Sequence, residues 1–172
     1  MRSRTIALGG LLAVGVVLVV LVKAPVRLTG HEQVRGTRVF AVNRAAVRGI
    51  DVELEGRRFA ALRTGDGWQL DGRAASVGEA DALNDLLDLL ADMRAVDAFR
   101  AADLAAFGLD SPRGRIELAT PAAHRRLVIG GFNAAGSITY VRRDRDPRVL
   151  QVGTFLLSSL ERVFYQRDLK RG

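Results

Sequence analysis

The stretch DLAAFGLDSPRGRIEL, residues 103–118, places a helix stop directly before a strand start. A short run of helix-forming residues ends at Gly108, and glycine is typical of that position because it adopts a positive φ without steric cost. Pro112 prevents the helix from continuing and favours an extended backbone at Ser111. We therefore predict a structural joint near residues 103–112, with a packing role, formed by Phe107, Gly108, Leu109, Asp110 and Pro112.

The residues before this joint predict an antiparallel strand meander. Ile50, Val52 and Leu54 alternate with acidic residues, which is the period-two pattern of a half-buried strand. Glycine-containing turns at 55–57 and 65–67 separate it from the next strands. The predicted strands are residues 38–42, 50–55, 59–63 and 68–70, with a further short one at 96–99.

A change of period then predicts an amphipathic helix over residues 79–94. Its apolar residues recur at steps of three and four, and Ser76 or the Gly78 region begins it. The apolar side is formed by Leu83, Leu86, Leu87, Leu90 and Met93. Asp81, Asp85, Asp88 and Asp92 occupy other faces, where aspartates are usually only solvated.

The residues after the joint repeat the order of strands followed by a helix. RIELAT, RRLVIGG, SITYVRR and PRVLQV predict strands, with hairpin turns at 121–124 and 143–147. TFLLSSLERVF predicts a closing helix with Phe155, Leu156, Leu160 and Phe164 on one side. The whole pattern predicts an α+β domain of antiparallel strand meanders with two main helices, and its two halves form a weak internal repeat.

An uncharged run of 18 residues, 5–22, lies near the start of the sequence. As a helix it would span about 27 Å, close to the thickness of a bilayer core, and Arg2 and Arg4 before it favour a cytoplasmic N-terminus. We expect residues 1–4 to be a cytoplasmic basic tip, 5–22 a single transmembrane helix, 23–37 a linker, and 38–172 an extracytoplasmic domain. The expected location is the inner membrane with this domain on the periplasmic side. A cleaved signal peptide is the alternative.

The charge is unevenly distributed along the chain. The overall charge is +7, with −4 in residues 31–110 and +7 in residues 111–172. Aromatic residues make up only 6% of the chain, which disfavours nucleic acid as a partner, since such binding combines basic patches with stacking aromatics. The absence of cysteine excludes disulfides and thiolate metal sites.

The motifs that resemble catalytic or metal sites do not have the required context. GGFNAAGS, residues 130–137, lacks the lysine of a phosphate loop and lies between two strands. Asp144 and Asp146 lie among arginines that would oppose a cation, and Ser158 and Ser159 lack a nearby histidine. We predict no catalytic, cofactor or metal site. Arg142, Arg143, Arg145 and Arg148 are the candidate contacts to an anionic partner.

The segment FGLDSPRGRIEL, preceded by GWQLDG and an acidic leucine-rich helix and followed by LVIGG, ITYVRR and RVLQV, resembles the bacterial family catalogued as domain of unknown function 4340. The resemblance covers residues 39–169. It implies an N-terminal membrane helix with an exported domain, near components of ABC-type export and gliding-motility systems. No catalytic residues are recognised in that family, so none are carried over.

Two functions are therefore expected for this chain. The first is a non-enzymatic accessory or interaction module of an envelope complex, with a protein partner that includes ABC-type transport components. The alternative is a binding module for an anionic envelope ligand. The acidic helix and the arginines near residue 145 further predict weak homo-association. Simple solvation of both surfaces, or contact of the arginines with lipid phosphates, are the other possibilities for these charges.

Overall fold

The computed structural model describes residues 36–65 and 67–170, which form nine strands, two α-helices and two short 3₁₀ turns. The first half contains β1 (Gly49–Leu54), β2 (Arg57–Thr64), β3 (Gly67–Leu70), β4 (Arg73–Ala74), α1 (Val77–Asp92) and β5 (Asp97–Arg100). The second half contains β6 (Gly114–Ala119), β7 (His124–Phe132), β8 (Ile138–Arg143), β9 (Arg148–Gly153) and α2 (Phe155–Asp168). The 3₁₀ turns are Arg44–Ala46 and Ala105–Phe107.

The strands form one antiparallel sheet in the order β4-β3-β2-β1-β6-β7-β8-β9-β5. The central pair, β1 and β6, joins the two halves along six residue pairs, from Gly49 opposite Ala119 to Leu54 opposite Gly114. On each side of this pair the strands run outward in sequence order, and each four-stranded meander is followed by a helix. The repeat expected from the sequence is therefore present as a repeated arrangement of elements. β5 departs from it by crossing to the far edge, beside β9.

Both helices cover the same face of the sheet, which we call the helix face. Alternate strand residues such as Val52, Phe59 and Ile116 point to this face and are fully buried, as period-two alternation requires. The rings of Phe59 on β2 and Phe164 on α2 meet edge to face at 5.1 Å. Neither of the two described α-helices lies on the opposite face of the sheet, which we call the open face.

The two helices run antiparallel against each other. Gly78 near the start of α1 lies beside Gln166 near the end of α2, where an added Cβ would come within 2.7 Å of the amide oxygen. Further along the same contact, Arg162 of α2 donates to Asp85 of α1 at 2.5 Å. The leucines at 83, 86, 87 and 90 are all inaccessible to solvent, so the predicted apolar side of the first helix is confirmed.

The predicted joint connects β5 at the edge to β6 at the centre and crosses the open face. Gly108 has φ 64° and ends the second 3₁₀ turn, so the predicted left-handed helix stop is confirmed. Phe107 packs edge to face on Phe99 and Tyr140, 5.1 and 4.9 Å between ring centres. Gly130 permits this approach, because a Cβ there would lie 2.3 Å from the carbonyl oxygen of Phe107. The same crossing places Leu109 against the sheet and leaves Asp110 and Pro112 exposed.

Several sequence-based boundaries were wrong. Residues 38–42 do not form a strand: only Arg38 makes a bridge, to Arg94, and the segment then lies over the helix face with Val39 and Phe40 buried. The short edge strand β4 was missed, and α1 begins two residues earlier than predicted. Phe155 is 63% exposed at the first position of α2, because the buried side of that helix starts at Leu156.

The predicted transmembrane anchor, residues 5–22, and residues 23–35 of the linker lie outside the described residues. Among the residues that are described, no helix is both long and apolar enough to cross a bilayer.

Candidate functional site

A cavity of about 790 Å³ lies at one end of the sheet, beside the β8–β9 turn. Its walls are residues 39–41, Arg100 at the end of β5, residues 123–126 at the start of β7, and residues 143–148 of the β8–β9 turn. Six of the lining residues are arginines and two are aspartates. The cavity is therefore strongly basic. Residues 143–148 form one continuous part of its lining, and the other lining residues come from three separate segments.

Strand register explains why the arginines meet here. Arg148 on β9 is directly opposite Arg100 on β5, and Arg143 on β8 is opposite the buried Leu127 of β7, so it belongs to the helix face. Arg125 is two residues before Leu127 on the same face. Like charges placed opposite each other on neighbouring strands are destabilising unless counter-charges are present. This end of the sheet therefore requires negative charge.

Asp146 supplies one such charge from within the turn. Its carboxylate accepts hydrogen bonds from the guanidinium groups of both Arg143 and Arg148, and from the backbone N–H of Arg148 at 3.0 Å. The side chain is only 11% exposed. Burial opposes its ionisation, but the hydrogen bonds from Arg148 and Arg143 outweigh burial and hold the pKa of Asp146 well below its usual range. Asp146 is thus a fixed anion that orders two of the arginines.

Three cavity arginines have no such counter-charge. Arg100, Arg125 and Arg145 are exposed and make no side-chain hydrogen bond or ion pair with any described residue. Arg145 also has φ 61°, a left-handed conformation that favours glycine or asparagine over a long side chain. Backbone strain of this kind persists where the surrounding structure requires it. The turn therefore places an arginine at the cavity in a backbone conformation that glycine or asparagine would adopt with less strain.

The charges on the open face are arranged differently. Arginines on β2, β6 and β7 each face an acidic residue on the neighbouring strand. These pairs are Arg58–Asp51, Arg115–Glu53 and Arg126–Glu117, with distances of 2.6, 2.5 and 2.8 Å. Three arginines of this face are thus neutralised by acids on neighbouring strands, whereas Arg100, Arg125 and Arg145 at the cavity have no such pair among the described residues.

The four arginines predicted from the sequence as contacts to an anionic partner have different environments in the structure. Arg145 lines the cavity with its charge unpaired, whereas Arg143 and Arg148 line it but are held by Asp146. Arg142 is opposite Val128 in the register and therefore lies on the open face, away from the cavity.

Sequence reasoning missed Arg100 and Arg125. The alternation of the strand RRLVIGG places Arg125 on the same face as Leu127, which was a usable signal. Nothing in the sequence indicated that β5 pairs with β9, and this pairing alone brings Arg100 to the cavity.

The aspartates near the cavity do not form a metal site in the described structure. Asp146 is bound by two arginines, and Asp144 is exposed and uses its backbone N–H to bond the carbonyl of Arg126. Within residues 36–65 and 67–170, no group of three or more histidine, aspartate or glutamate side chains is placed to hold a metal ion. Residues 143–147 connect β8 to β9, so the predicted turn is present.

Guanidinium groups are the most numerous charged groups of the cavity, whose lining also includes His124, Asp144 and Asp146. They stay protonated at all physiological pH values and therefore neither accept nor release a proton. Their planar forks match the geometry of phosphate and carboxylate oxygens and bind them in bidentate fashion. The arrangement is suited to holding an anion.

Comparison with known protein families gives a match over much of the domain. Residues 68–165 match the model of a family described as domain of unknown function (DUF4340). That range covers more than half of the chain and includes α1, the joint, the glycines of β7 and most of the cavity. No curated protein and no solved structure matches the chain.

Proposed function

Since the chain belongs to the DUF4340 family, whose description states no activity, we propose from its own geometry that it is a non-enzymatic interaction module that binds an anionic partner in the cell envelope. The observation that carries the proposal is the cavity at the end of the sheet, where Arg100, Arg125 and Arg145 meet no counter-charge from the part of the chain that the structure describes. A partner with phosphate or carboxylate groups would give these three arginines the negative charge and hydrogen-bond acceptors that Asp146 gives to Arg143 and Arg148.

The proposed setting is a membrane. The uncharged run at 5–22 is long enough for one transmembrane helix, and Arg2 and Arg4 favour a cytoplasmic N-terminus, with the folded domain on the periplasmic side of the inner membrane. The family resemblance supports an association with ABC-type transport components. In this setting the chain acts as an accessory subunit that brings an anionic group or an acidic partner surface to the complex.

Topology can be tested directly. Alkaline phosphatase fused to the C-terminus of the full chain should be active, because it requires export, and a reporter that works only in the cytoplasm should be silent at the same position. The reverse pattern would place the domain in the cytoplasm and would contradict the proposed setting. It would leave anion binding itself open to the measurement that follows.

Anion binding is tested with pyrophosphate as a compact polyanionic probe. The full-length protein in detergent should gain thermal stability with pyrophosphate, by about 2.7 kcal/mol when the probe is at 100 times its dissociation constant. The double variant Arg100→Gln, Arg125→Gln should lose this gain. The control Arg58→Gln, Arg115→Gln removes the same charge from the open face and should retain it. Equal loss in both variants would show that net charge, and not the cavity, binds the probe.

A further inference from the structure

We propose that the cavity binds the phosphate of an anionic phospholipid headgroup, in the same membrane that anchors the chain. This inference rests on the proposed function and specifies its ligand. The shared chemistry is a phosphate group held by arginine forks, and the source is the lipid surface rather than a free phosphate in solution. A phospholipid surface fits two features of the structure, the point where the chain enters the domain and the arrangement of the unpaired arginines.

The position of the chain entry favours the membrane. Residues 39–41 form one wall of the cavity and lie near the N-terminal end of the described residues. Only 16 residues separate the end of the uncharged run at Val22 from Val39, a reach of at most about 55 Å. Because the chain approaches the domain at a wall of the cavity, a tether of this length lets the cavity reach the lipid surface. Tethering also raises the effective concentration of headgroups at the cavity.

The arrangement of the unpaired arginines is suited to a membrane surface that presents many headgroups, each of which binds weakly. Arg100, Arg125 and Arg145 come from three separate parts of the sheet end and are exposed rather than enclosed. Single exposed contacts of this kind are weak, but each basic residue near an anionic surface raises binding roughly fivefold. Three such residues raise it roughly 100-fold, which is enough to orient a domain that is already attached to the membrane.

The open face carries less unpaired positive charge than the cavity. Arg58, Arg115 and Arg126 on that face are already paired with acids on neighbouring strands and would have to break those pairs before binding a headgroup, which leaves Arg142 as its unpaired arginine among the described strand residues. Arg100, Arg125 and Arg145 have no ion pair with a described residue to break before binding a headgroup. We therefore expect the end of the sheet that carries the β8–β9 turn and Arg100 of β5 to contact an anionic membrane. The β4 edge of the sheet should lie away from the membrane.

The absence of cysteine in this chain makes the orientation measurable with a single introduced label. The full chain with Ala123→Cys, at the cavity wall, is labelled with an environment-sensitive fluorophore and placed in nanodiscs. The discs contain phosphatidylcholine alone or phosphatidylcholine mixed with phosphatidylglycerol. Ala74→Cys on the edge strand β4 is the matched control at the opposite edge of the sheet. We expect a blue shift of the emission for the label at 123 only in the anionic discs, reversed by high salt.

Two sets of variants decide whether the arginines cause this shift. Arg100→Gln with Arg125→Gln should abolish it, and Arg58→Gln with Arg115→Gln should not. Arg145→Asn removes a charge while placing at this left-handed position a residue that tolerates it, so its melting temperature should be unchanged or higher while the shift is weakened roughly fivefold in apparent affinity. An unchanged dependence of the shift on the fraction of phosphatidylglycerol in Arg145→Asn, or a full shift in the Arg100, Arg125 variant, would overturn the inference, because the cavity charges would not be responsible.

The two proposals fail in different ways. If pyrophosphate stabilises the protein in an arginine-dependent manner but the label at 123 responds equally in both kinds of disc, the lipid inference is wrong and anion binding stands. A response of the label at 74 equal to that at 123 would also overturn the inference. If neither pyrophosphate nor anionic discs produce an arginine-dependent signal, both proposals are wrong.

Discussion

At the scale of single residues, one buried polar group lowers the stability of this domain. Among the described residues, Thr139 on β8 is the one whose buried side-chain oxygen has no hydrogen-bond partner. It is fully inaccessible and is opposite the apolar Val152 of β9. A buried hydroxyl without a partner loses its hydration and gains nothing in return. The position is therefore suited to a test of what this polar group costs.

We expect Thr139→Val to raise the free energy of unfolding by about 1 kcal/mol, because valine has nearly the same shape and no polar group to desolvate. Thr139→Ser is the control, since it keeps the hydroxyl and removes a methyl group, and it should lower stability. Denaturant unfolding of both variants measures the difference. A loss of stability in Thr139→Val would mean that the hydroxyl has a partner in solution.

Gly108 combines a positive φ with a close contact. A Cβ at this residue would lie 2.9 Å from the backbone nitrogen of Gly131. Gly136 has nearly the same φ, 68° against 64°, but a Cβ added there would meet no other atom within 4 Å. Substitutions at Gly108 and Gly136 therefore distinguish two contributions to the loss of stability. Both include the cost of a side chain at positive φ, and only Gly108 adds the steric conflict between the joint and the sheet.

Gly108→Ala should lower the free energy of unfolding by about 1–3 kcal/mol, and Gly136→Ala by about 1 kcal/mol or less, because only the first adds a steric conflict to the conformational cost. Thermal melts of the two variants give the comparison. Equal losses would show that the joint does not press closely on β7.

At the scale of the secondary-structure elements, the N-terminus of α1 depends on a buried acid. Glu79 is wholly inaccessible to solvent and accepts two hydrogen bonds from Arg73, at 2.9 and 2.6 Å. It also accepts from the backbone N–H of Ser76 at 2.7 Å, as in a capping box. The hydrogen bonds from Arg73 outweigh burial, and those from Ser76 add to them, so the pKa of Glu79 is lowered to about 2.

A lowered pKa in the folded state means that the ionised form stabilises the fold. This contribution is present above the unfolded pKa of about 4.5 and is lost as pH falls toward 2. Glu79→Gln should therefore lose about 2–3 kcal/mol at neutral pH and should show less dependence of stability on pH between 4.5 and 2. Glu161→Gln, which breaks the exposed pair with Arg57, should cost no more than about 1 kcal/mol. An unchanged pH profile in Glu79→Gln would contradict the assignment.

At the scale of the whole molecule, the two halves share one core. The β1–β6 pair joins them across the centre of the sheet, α1 packs along α2, and Phe164 of the second half contacts Phe59 of the first. Trp68, the only tryptophan, is buried in the first half and reports on it selectively.

We expect a single unfolding transition in which the fluorescence of Trp68 and far-UV circular dichroism coincide. Leu127→Ala on β7, in the second half, should lower stability by about 2–5 kcal/mol and should shift the Trp68 transition by the same amount. If the Trp68 signal kept its wild-type midpoint, the halves would unfold separately.

The predicted weak homo-association stays a prediction. Asp85, Asp88 and Asp92 of α1 already face Arg162, Arg44 and Arg38 of the same molecule, at 2.5, 2.5 and 4.0 Å, so only a modest attraction is left for a neighbour. Exposed ion pairs contribute about 0–1 kcal/mol each and weaken with salt. Sedimentation of the detergent-solubilised chain should show more association at low salt than at high salt. Arg142→Glu with Arg145→Glu should reduce it, and a single species at every salt concentration would contradict it.

Local patterns in the sequence were enough to determine the α+β class, both helices, the hairpin turns and the helix stop at Gly108. Alternation, leucine spacing and turn residues act over a few neighbouring residues, so they can be recognised without the fold. The sequence also marked the turn at 143–147 as basic, and Arg145 lies in that turn, which lines the cavity.

Only the tertiary structure decided how these pieces are joined. The pairing of β5 with β9, the crossing of the joint over the open face and the position of residues 39–41 over the helix face all depend on contacts between residues far apart in the chain. The same contacts select Arg100 and Arg125 for the cavity and exclude Arg142. Burial and strand register are properties of the assembled sheet, because the face on which a charge lies, and whether a counter-charge meets it there, are set by the strand beside it and not by its neighbours in sequence.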